Sequence, residues 1–599
     1  MVTDIGLLLQ PIVAVVVAPL WGALVALAVV PLHRRAAGWV SAGAAGVTVL
    51  LALALFGQAW SSPVTFSNPL PWWPLSPAPP TFYADVFGAS LVLLVSVLGL
   101  CLLASSCDPI TLPEVGTAHF PLALATLGTT IPLVLSGDLV TFYASWELTT
   151  IFVVLILLTR FDERSAAAAS RFLFSSLALS TLTFFAVVWT GLVAGSFHFS
   201  ALGRMAGLVV PEVRWLITAA LVGTALFRGA ILPFHVWMSK ALSAAQPHVA
   251  SFLFVVLPTT GLLAMVRLVL PHLPLATEWN NVVAGLGLLT ALSGSAAALR
   301  PREPSSILTY LCVGQAGFVA VGLGIGHPLG VAAASFQLFS FAVSLTLLRL
   351  ALGSQVALLG QMSLDHWRRS AVTHRADFIA VAVALLSVAG LPPLSGYSAR
   401  MLLVASLAGV GSTTYLVVLA GVFVATAFGF AAVARLVLDP QCRAAPDVPH
   451  HSSSYWNRIP LVTLAAASVL LGLPSHWLST EFFARLAVDS LSVPLQAVQA
   501  SIAPWTFAVA AVLIFASLGL GVVIHVARSD VEEIESIPAL ALVRKHTRRL
   551  SVLSPLASRY WQLADKGAFD IYPAISSFLG GFARVAAFVV YVSAGRSAR

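Results

Sequence analysis

Runs of about 20 apolar residues, the length that crosses a bilayer as a helix, recur along almost the whole chain. They lie near 5–31, 37–59, 83–106, 117–136, 138–160, 166–195, 213–241 and 248–271. More follow near 279–299, 305–325, 329–357, 375–408, 410–438, 459–475, 503–527 and 570–594, the last interrupted by Arg584. The pattern predicts an all-α polytopic membrane protein of about 16 transmembrane helices. The first residues, MVTDIG, lack a positive flank, so 5–31 reads as a retained span.

The cations between the runs alternate. Arg34 and Arg35 follow the first run, Arg160 and Arg164 the fifth, Lys240 the seventh, and Arg300 and Arg302 the ninth. Arg368, Arg369 and Arg375 follow the eleventh, Arg435, Arg443 and Arg458 the thirteenth, and Arg544, Lys545, Arg548 and Arg549 the fifteenth. The other connections hold scattered cations such as Arg204, Arg214, Arg267 and Arg485. The positive-inside rule then puts odd-numbered loops in the cytoplasm and both termini on the outer side of a cell inner membrane. Three polar stretches are not spans. Residues 61–82 are Pro-rich, with Trp72 and Trp73, and read as an interface-anchored outer loop. Residues 477–500 look amphipathic and interfacial, and 528–566 read as a surface helix on the cytoplasmic face.

Composition narrows the class. The 599 residues are 59% hydrophobic and 9% charged, with a mean hydropathy of +0.95. A soluble domain carries about 25% charged residues, so a cytosolic enzyme, a disordered chain and a disulfide scaffold are excluded. The net charge of +8 fits basic cytoplasmic loops, and no basic–aromatic interleaving points to nucleic acid. Cys101, Cys107, Cys312 and Cys442 form no CxxC and sit at no zinc-ligand spacing. They read as small buried apolar residues, and no metal, cofactor or redox centre is expected in this chain.

Ionisable residues at membrane depth are costly and are functional candidates by default. Glu147 lies in the middle of the fifth run and Arg228 in the seventh. His235 is seven residues past Arg228, beyond Pro233, which breaks or kinks the helix. Arg400 follows a second break at Pro392 and Pro393 in the twelfth run. Two broken helices five spans apart suggest inverted repeats around an ion site. The expected organisation is 1–116 (spans one to three), 117–272 (repeat one), 273–438 (repeat two), 439–527 (spans fourteen and fifteen) and 528–599 (lateral segment and last span). Glu147 is either an ion-pair partner of Arg228 or a proton-transfer group. His248 stands at a loop–helix junction. Arg349 and Arg171 are expected to snorkel to the interface, and Asp138 to be a helix N-terminal charge.

At these residues the chain resembles a known family. DLVTFYASWEL is similar to the fifth-span signature of the antiporter-like subunits of complex I, relatives of Mrp-type antiporters and of energy-converting hydrogenase membrane arms. FRGAILPFHVWMSKALSAAQPHVAS is similar to that family's broken helix seven, REPSSILTYLCVGQAGFVAVGLG to its span ten, and AGLPPLSGYSAR to its broken helix twelve. The resemblance covers roughly residues 80–440. It implies proton or cation translocation through one half-channel per repeat, along a charged axis that pairs a glutamate with several lysines. Glu147 matches the glutamate, and His235 the histidine of a PxHxW motif. Arg228 and Arg400 stand where lysines are expected, while Thr259, Leu345 and Met401 replace other polar members of the axis. Buried lysine can lose its proton and arginine effectively cannot, so the resemblance implies a modified proton path. Its remaining members are Glu147, His235, His248, Tyr143, Tyr310 and Tyr397, with Glu147 and Arg228 expected as an intramembrane ion pair.

Three functions compete. One is the ion-translocating membrane subunit of a complex-I-like or hydrogenase-like respiratory assembly, with redox subunits as partners. The second is the ion-conducting subunit of a two-component inorganic-carbon uptake system, paired with a zinc-bearing, carbonic-anhydrase-like soluble subunit. The third is a scaffold that conducts nothing.

Overall fold

The computed structural model describes residues 10–67, 81–108, 112, 116, 118–160, 162–272, 277–300, 304–359, 375–410, 412–437, 455–491, 494–500 and 504–528. The run at 570–594, the stretch beyond Arg528, Cys442 and the middle of the Pro-rich loop lie outside the described residues. A helix overlaps each apolar run from 5–31 to 503–527. In chain order these begin with α1 (Pro11–Val29), α2 (Arg34–Ser61), α3 (Val86–Ser106), α4 (His119–Val134), α5 (Leu139–Leu157) and α6 (Glu163–Ala194). After a short α7 (Ser200–Leu208) come α8 (Pro211–Arg228), α9 (Val236–Ala244), α10 (Pro247–Ala264), α11 (Thr277–Ala297), α12 (Pro304–Gly324) and α13 (Pro328–Leu359). The series continues with α14 (Arg375–Ala389), α15 (Ser395–Val410), α16 (Thr413–Val437) and α17 (Tyr455–Gly472). The smaller α18 (Ala484–Leu491) and α19 (Leu495–Ala500) precede α20 (Pro504–Arg528). Ten of the described helices are long and apolar enough to cross a membrane, which makes this a multi-pass membrane protein.

Local chemistry sets the helix ends. Asp85, Asp138 and Asp162 cap α3, α5 and α6 through their side chains, and Asp162 and Ser165 close a capping box. Gly195, at φ +66°, ends α6 in the left-handed conformation that glycine accepts without strain. Proline opens α1, α8 and α10, where its missing N–H costs nothing.

Both expected helix breaks are present. The seventh run splits into α8 and α9, and the twelfth into α14 and α15. Leu232–Pro233 and Pro392–Pro393 are cis. The backbone freed at each break finds partners elsewhere. Leu232 N donates to Thr290 Oγ1 of α11 at 3.0 Å, and Trp237 Nε1 donates to the Phe227 carbonyl at 2.8 Å. Gly396 N donates to Ser387 Oγ at 3.2 Å.

Small residues let helices approach closely, as membrane helices favour. A Cβ at Gly287 of α11 would lie 2.6 Å from Val321 N of α12. At Gly261 of α10 it would lie 2.8 Å from both Ala225 O of α8 and Gly229 N, just past the end of α8. The first broken helix is thereby clamped against α10.

The ends of the Pro-rich loop form an antiparallel hairpin, β1 (Val64–Ser67) and β2 (Thr81–Ala84), pairing Val64 with Ala84 and Ser67 with Thr81. Asp138 does more than charge a helix end. Its Oδ2 accepts from Thr81 N at 2.9 Å and from Thr81 Oγ1 at 2.8 Å, so it pins the hairpin. The amphipathic stretch 477–500 buries its apolar face in the bundle. Fully buried Phe483 stacks on Phe336 of α13 with ring centroids 4.1 Å apart.

Candidate functional site

The residues singled out by sequence divide between two polar sites and several single positions. In the first site, Arg228 ends α8 just before the break and is fully buried. Its Nη2 donates to the Trp146 carbonyl at 3.2 Å and to Thr150 Oγ1 of α5. Its guanidinium carbon sits 4.2 Å from the Trp146 ring centroid and 5.8 Å from that of Phe172. Trp146 and Thr150 are four apart and share one face of α5, which explains the paired contact.

The expected direct ion pair with Glu147 is not formed. Among the described residues no salt bridge joins the two, and Glu147 acts on Arg228 only as a nearby charge. The guanidinium's donor Nη2 is taken up instead by the Trp146 carbonyl and Thr150 Oγ1. Instead the Tyr143 hydroxyl adjoins Glu147 and Ser180 of α6. Arg228 Nε and Nη1, Trp146 Nε1 and Glu147 Oε1 are buried without hydrogen-bond partners.

His235 starts α9 and is buried against the Pro233 backbone. His248, near the start of α10, is buried rather than on a loop surface. It adjoins His119 of α4, which the sequence alone does not single out. Ser106 Oγ donates to the Leu102 carbonyl at 2.8 Å, so His119 Nε2–H must donate to Ser106, at 3.2 Å. His119 Nδ1 is then a bare buried acceptor. Only its place at the edge of an apolar run, close to another histidine in space, would have signalled it.

The second site surrounds Arg400, also buried at 1% exposure. Its Nη1 donates to the Ala389 carbonyl at 2.7 Å and its Nη2 to the Val388 carbonyl at 2.6 Å, so the guanidinium ties off the end of α14. The Phe318 ring lies 4.8 Å away. Gly390, at φ +85°, makes room: a Cβ there would stand 2.9 Å from Arg400 Nη1. Thr259 hydrogen-bonds its own helix at Val255 O, 2.5 Å away, and Leu345 is buried. Tyr310 is half-buried on α12. Arg349 does not snorkel: it is buried and donates to Thr309 Oγ1 at 3.1 Å.

The sequence suggests Arg267 as a scattered loop cation. It sits instead in a π-helical turn, Met265–Val269, and its Nη2 meets Asp85 Oδ1 at 2.5 Å. Among the described residues no group of three or more His, Cys, Asp or Glu side chains has metal-binding spacing.

Residues 136–429 match the family model described as "NADH:quinone oxidoreductase/Mrp antiporter, TM". An NADH-quinone oxidoreductase subunit N from Desulfovibrio desulfuricans is 27% identical over 395 residues, covering 62% of this chain and 75% of the relative. A putative antiporter subunit from Staphylococcus haemolyticus is 25% identical over 391 residues, covering 60% of this chain and 48% of the relative. This chain thus spans about half the length of that second relative. Among solved structures, a chain of the Mrp complex from Dietzia sp. superposes with a TM-score of 0.69 at 20% identity, over 81% of this chain and 99% of that one. A chain of respiratory complex I from Thermus thermophilus gives 0.68 at 20% identity, over 80% and 99%. At that identity the likeness is one of fold.

Proposed function

The chain belongs, through residues 136–429, to the antiporter-like family of NADH:quinone oxidoreductase and Mrp subunits, and on that premise we propose that it is the proton- or cation-translocating membrane subunit of a respiratory assembly. The carrying observation is the first polar site. The half-buried Glu147 and the fully buried Arg228 lie within electrostatic reach of each other beside a broken helix inside the family region, amid buried polar atoms without protein partners. Groups of that kind are where proteins hold water or pass protons. Glu147, Tyr143, His235 and His248 are the exchangeable groups on our reading, and Arg228 is a fixed charge beside them. Arg400 and Tyr310 belong to the second half.

The topology we adopt follows the same reading: inverted repeats at 117–272 and 273–438, about 16 spans, and both termini on the outer side of a cell inner membrane. The kinds of protein found among the relatives favour the respiratory reading over inorganic-carbon uptake. Two experiments test the proposal. Mild-detergent purification of the tagged chain is expected to bring down further membrane and redox subunits. A lone zinc-bearing soluble partner would instead support the carbon-uptake reading. Proton flux into vesicles holding the purified complex is expected to change with Arg228→Lys, which exchanges a fixed charge for a titratable one. Unchanged flux would mean that the first site carries no protons.

A further inference from the structure

The second broken helix holds a chain of serine hydroxyls that no part of the account so far uses. Ser340 and Ser344 of α13, Ser387 of α14, Ser395 of α15 and Ser468 of α17 are each at most 2% exposed. A hydroxyl has one proton and two acceptor positions, so the order of the chain can be worked out. Ser344 Oγ donates to Ser387 Oγ at 2.8 Å. Ser387 Oγ also accepts from Gly396 N at 3.2 Å, which fills its acceptor positions. Its own proton therefore goes to Ser395 Oγ, 3.1 Å away. Ser395 has two more hydroxyl neighbours, Ser340 Oγ at 2.9 Å and Ser468 Oγ at 3.2 Å. It donates to one and accepts from the other.

Two further observations set this chain apart from ordinary serine packing. Serines in membrane helices usually return their proton to a carbonyl of their own helix, as Ser90 and Ser106 do here. These serines bond across helices instead. Beside them, one turn before Ser340 on α13, Gln337 donates to Gln315 at 2.7 Å, and its own Oε1 is buried without a partner. That is an acceptor open at the flank of the chain. Arg400, meanwhile, is held by the carbonyls of Val388 and Ala389, next to Ser387, and does not give up its proton.

We propose that Ser344, Ser387 and Ser395, continuing to Ser340 or Ser468, are a proton relay at the second helix break, beside the buried Arg400; the inference rests on the ion-translocating reading above. A proton taken up at Ser344 Oγ displaces the Ser344 proton to Ser387, that of Ser387 to Ser395, and that of Ser395 to the terminal serine. The terminal serine releases one. One proton enters and one leaves, each O–H bond broken is replaced by one formed, and rotation of the hydroxyls restores the starting order. Through Ser468 the relay reaches α17, outside the two repeats.

The test is proton flux, driven by an imposed pH gradient, in vesicles holding the purified complex. Ser387→Ala and Ser395→Ala are expected to cut flux about a hundredfold, the lower end of what a positioned proton-transfer group contributes. Ser395→Thr, which keeps the hydroxyl, is expected to restore it. Ser398→Ala serves as the control, since Ser398 donates only to the Gly472 carbonyl at 2.9 Å. Should a Ser395 variant fail to assemble, Ser344→Ala at the chain's end carries the same expectation. Wild-type flux in assembled Ser387→Ala and Ser344→Ala overturns the relay and leaves the translocation reading standing. Absence of flux in the wild type overturns both.

Discussion

Replacing Asp85 by asparagine isolates the charge of one buried ion pair. Asp85 is fully buried, and its Oδ1 accepts from Gly88 N at 2.7 Å and meets Arg267 Nη2 at 2.5 Å. Asparagine is as good an N-cap as aspartate, so the start of α3 keeps its hydrogen bond. What is lost is the counter-charge of a guanidinium whose side chain is 9% exposed. Removing one partner of a buried pair costs about 3–5 kcal/mol, because the other charge stays buried. Tyr83 and Phe87, with ring centroids 5.2 and 5.7 Å from the guanidinium carbon, offset part of this by cation–π attraction. The expected cost of Asp85→Asn is therefore near the lower end, about 3 kcal/mol. Adding Arg267→Met removes the stranded charge, and the double variant is expected to recover to within about 1 kcal/mol of wild type. The assay is reversible unfolding of the purified protein in mixed micelles, followed by tryptophan fluorescence. A single variant as stable as wild type, or a double variant less stable than the single one, would refute this reasoning.

Three further outcomes follow from the same geometry. His272, half-buried outside the membrane-spanning helices, is held below the ordinary histidine range by burial, then by His198 and Arg267. Its folded state favours the neutral ring, so the stability it contributes is present above the unfolded pKa and is lost as pH falls through the folded one. Unfolding midpoints measured from about pH 7 to about pH 5 should thus fall more steeply in wild type than in His272→Gln. Gly261→Ala forces a Cβ against the backbone at Ala225 and Gly229, and should lower stability by about 1–3 kcal/mol in the same unfolding assay. Thr150→Val removes an acceptor of the Arg228 guanidinium and should cost about 1–3 kcal/mol, with thermal denaturation as the readout.

Much of this fold is legible along the chain, and the reasons are physical. Lipid demands long apolar helices, so α1 to α6 stand out as hydrophobic runs. Proline cannot continue a helix, so the breaks after Arg228 and Ala389 announce themselves. What stays hidden is pairing over distance. Asp85 and Arg267 are 182 residues apart, and neither carries a local sign of the other. A lone cation near the end of an apolar run suggests a loop, and Arg267 is buried against Asp85 instead. Opposite charge and the family resemblance both suggest pairing Glu147 with Arg228, yet the guanidinium rests on a carbonyl, a hydroxyl and an indole face. Arginine has five donors and a flat apolar surface, so a carboxylate is only one of its possible partners. Ser340, Ser344, Ser387, Ser395 and Ser468 lay in plain view as small residues inside apolar runs, and only their convergence in space gives them meaning.

The most direct measurement is proton flux under an imposed pH gradient in vesicles that hold the purified complex, comparing wild type with Glu147→Gln. Glutamine keeps the size of Glu147 and one acceptor oxygen, and removes its charge and its proton exchange. The account predicts flux in the wild type and its loss in the variant, with the complex intact in both. Equal flux in the two would take Glu147 out of the path, and a wild type without flux would make this chain a scaffold.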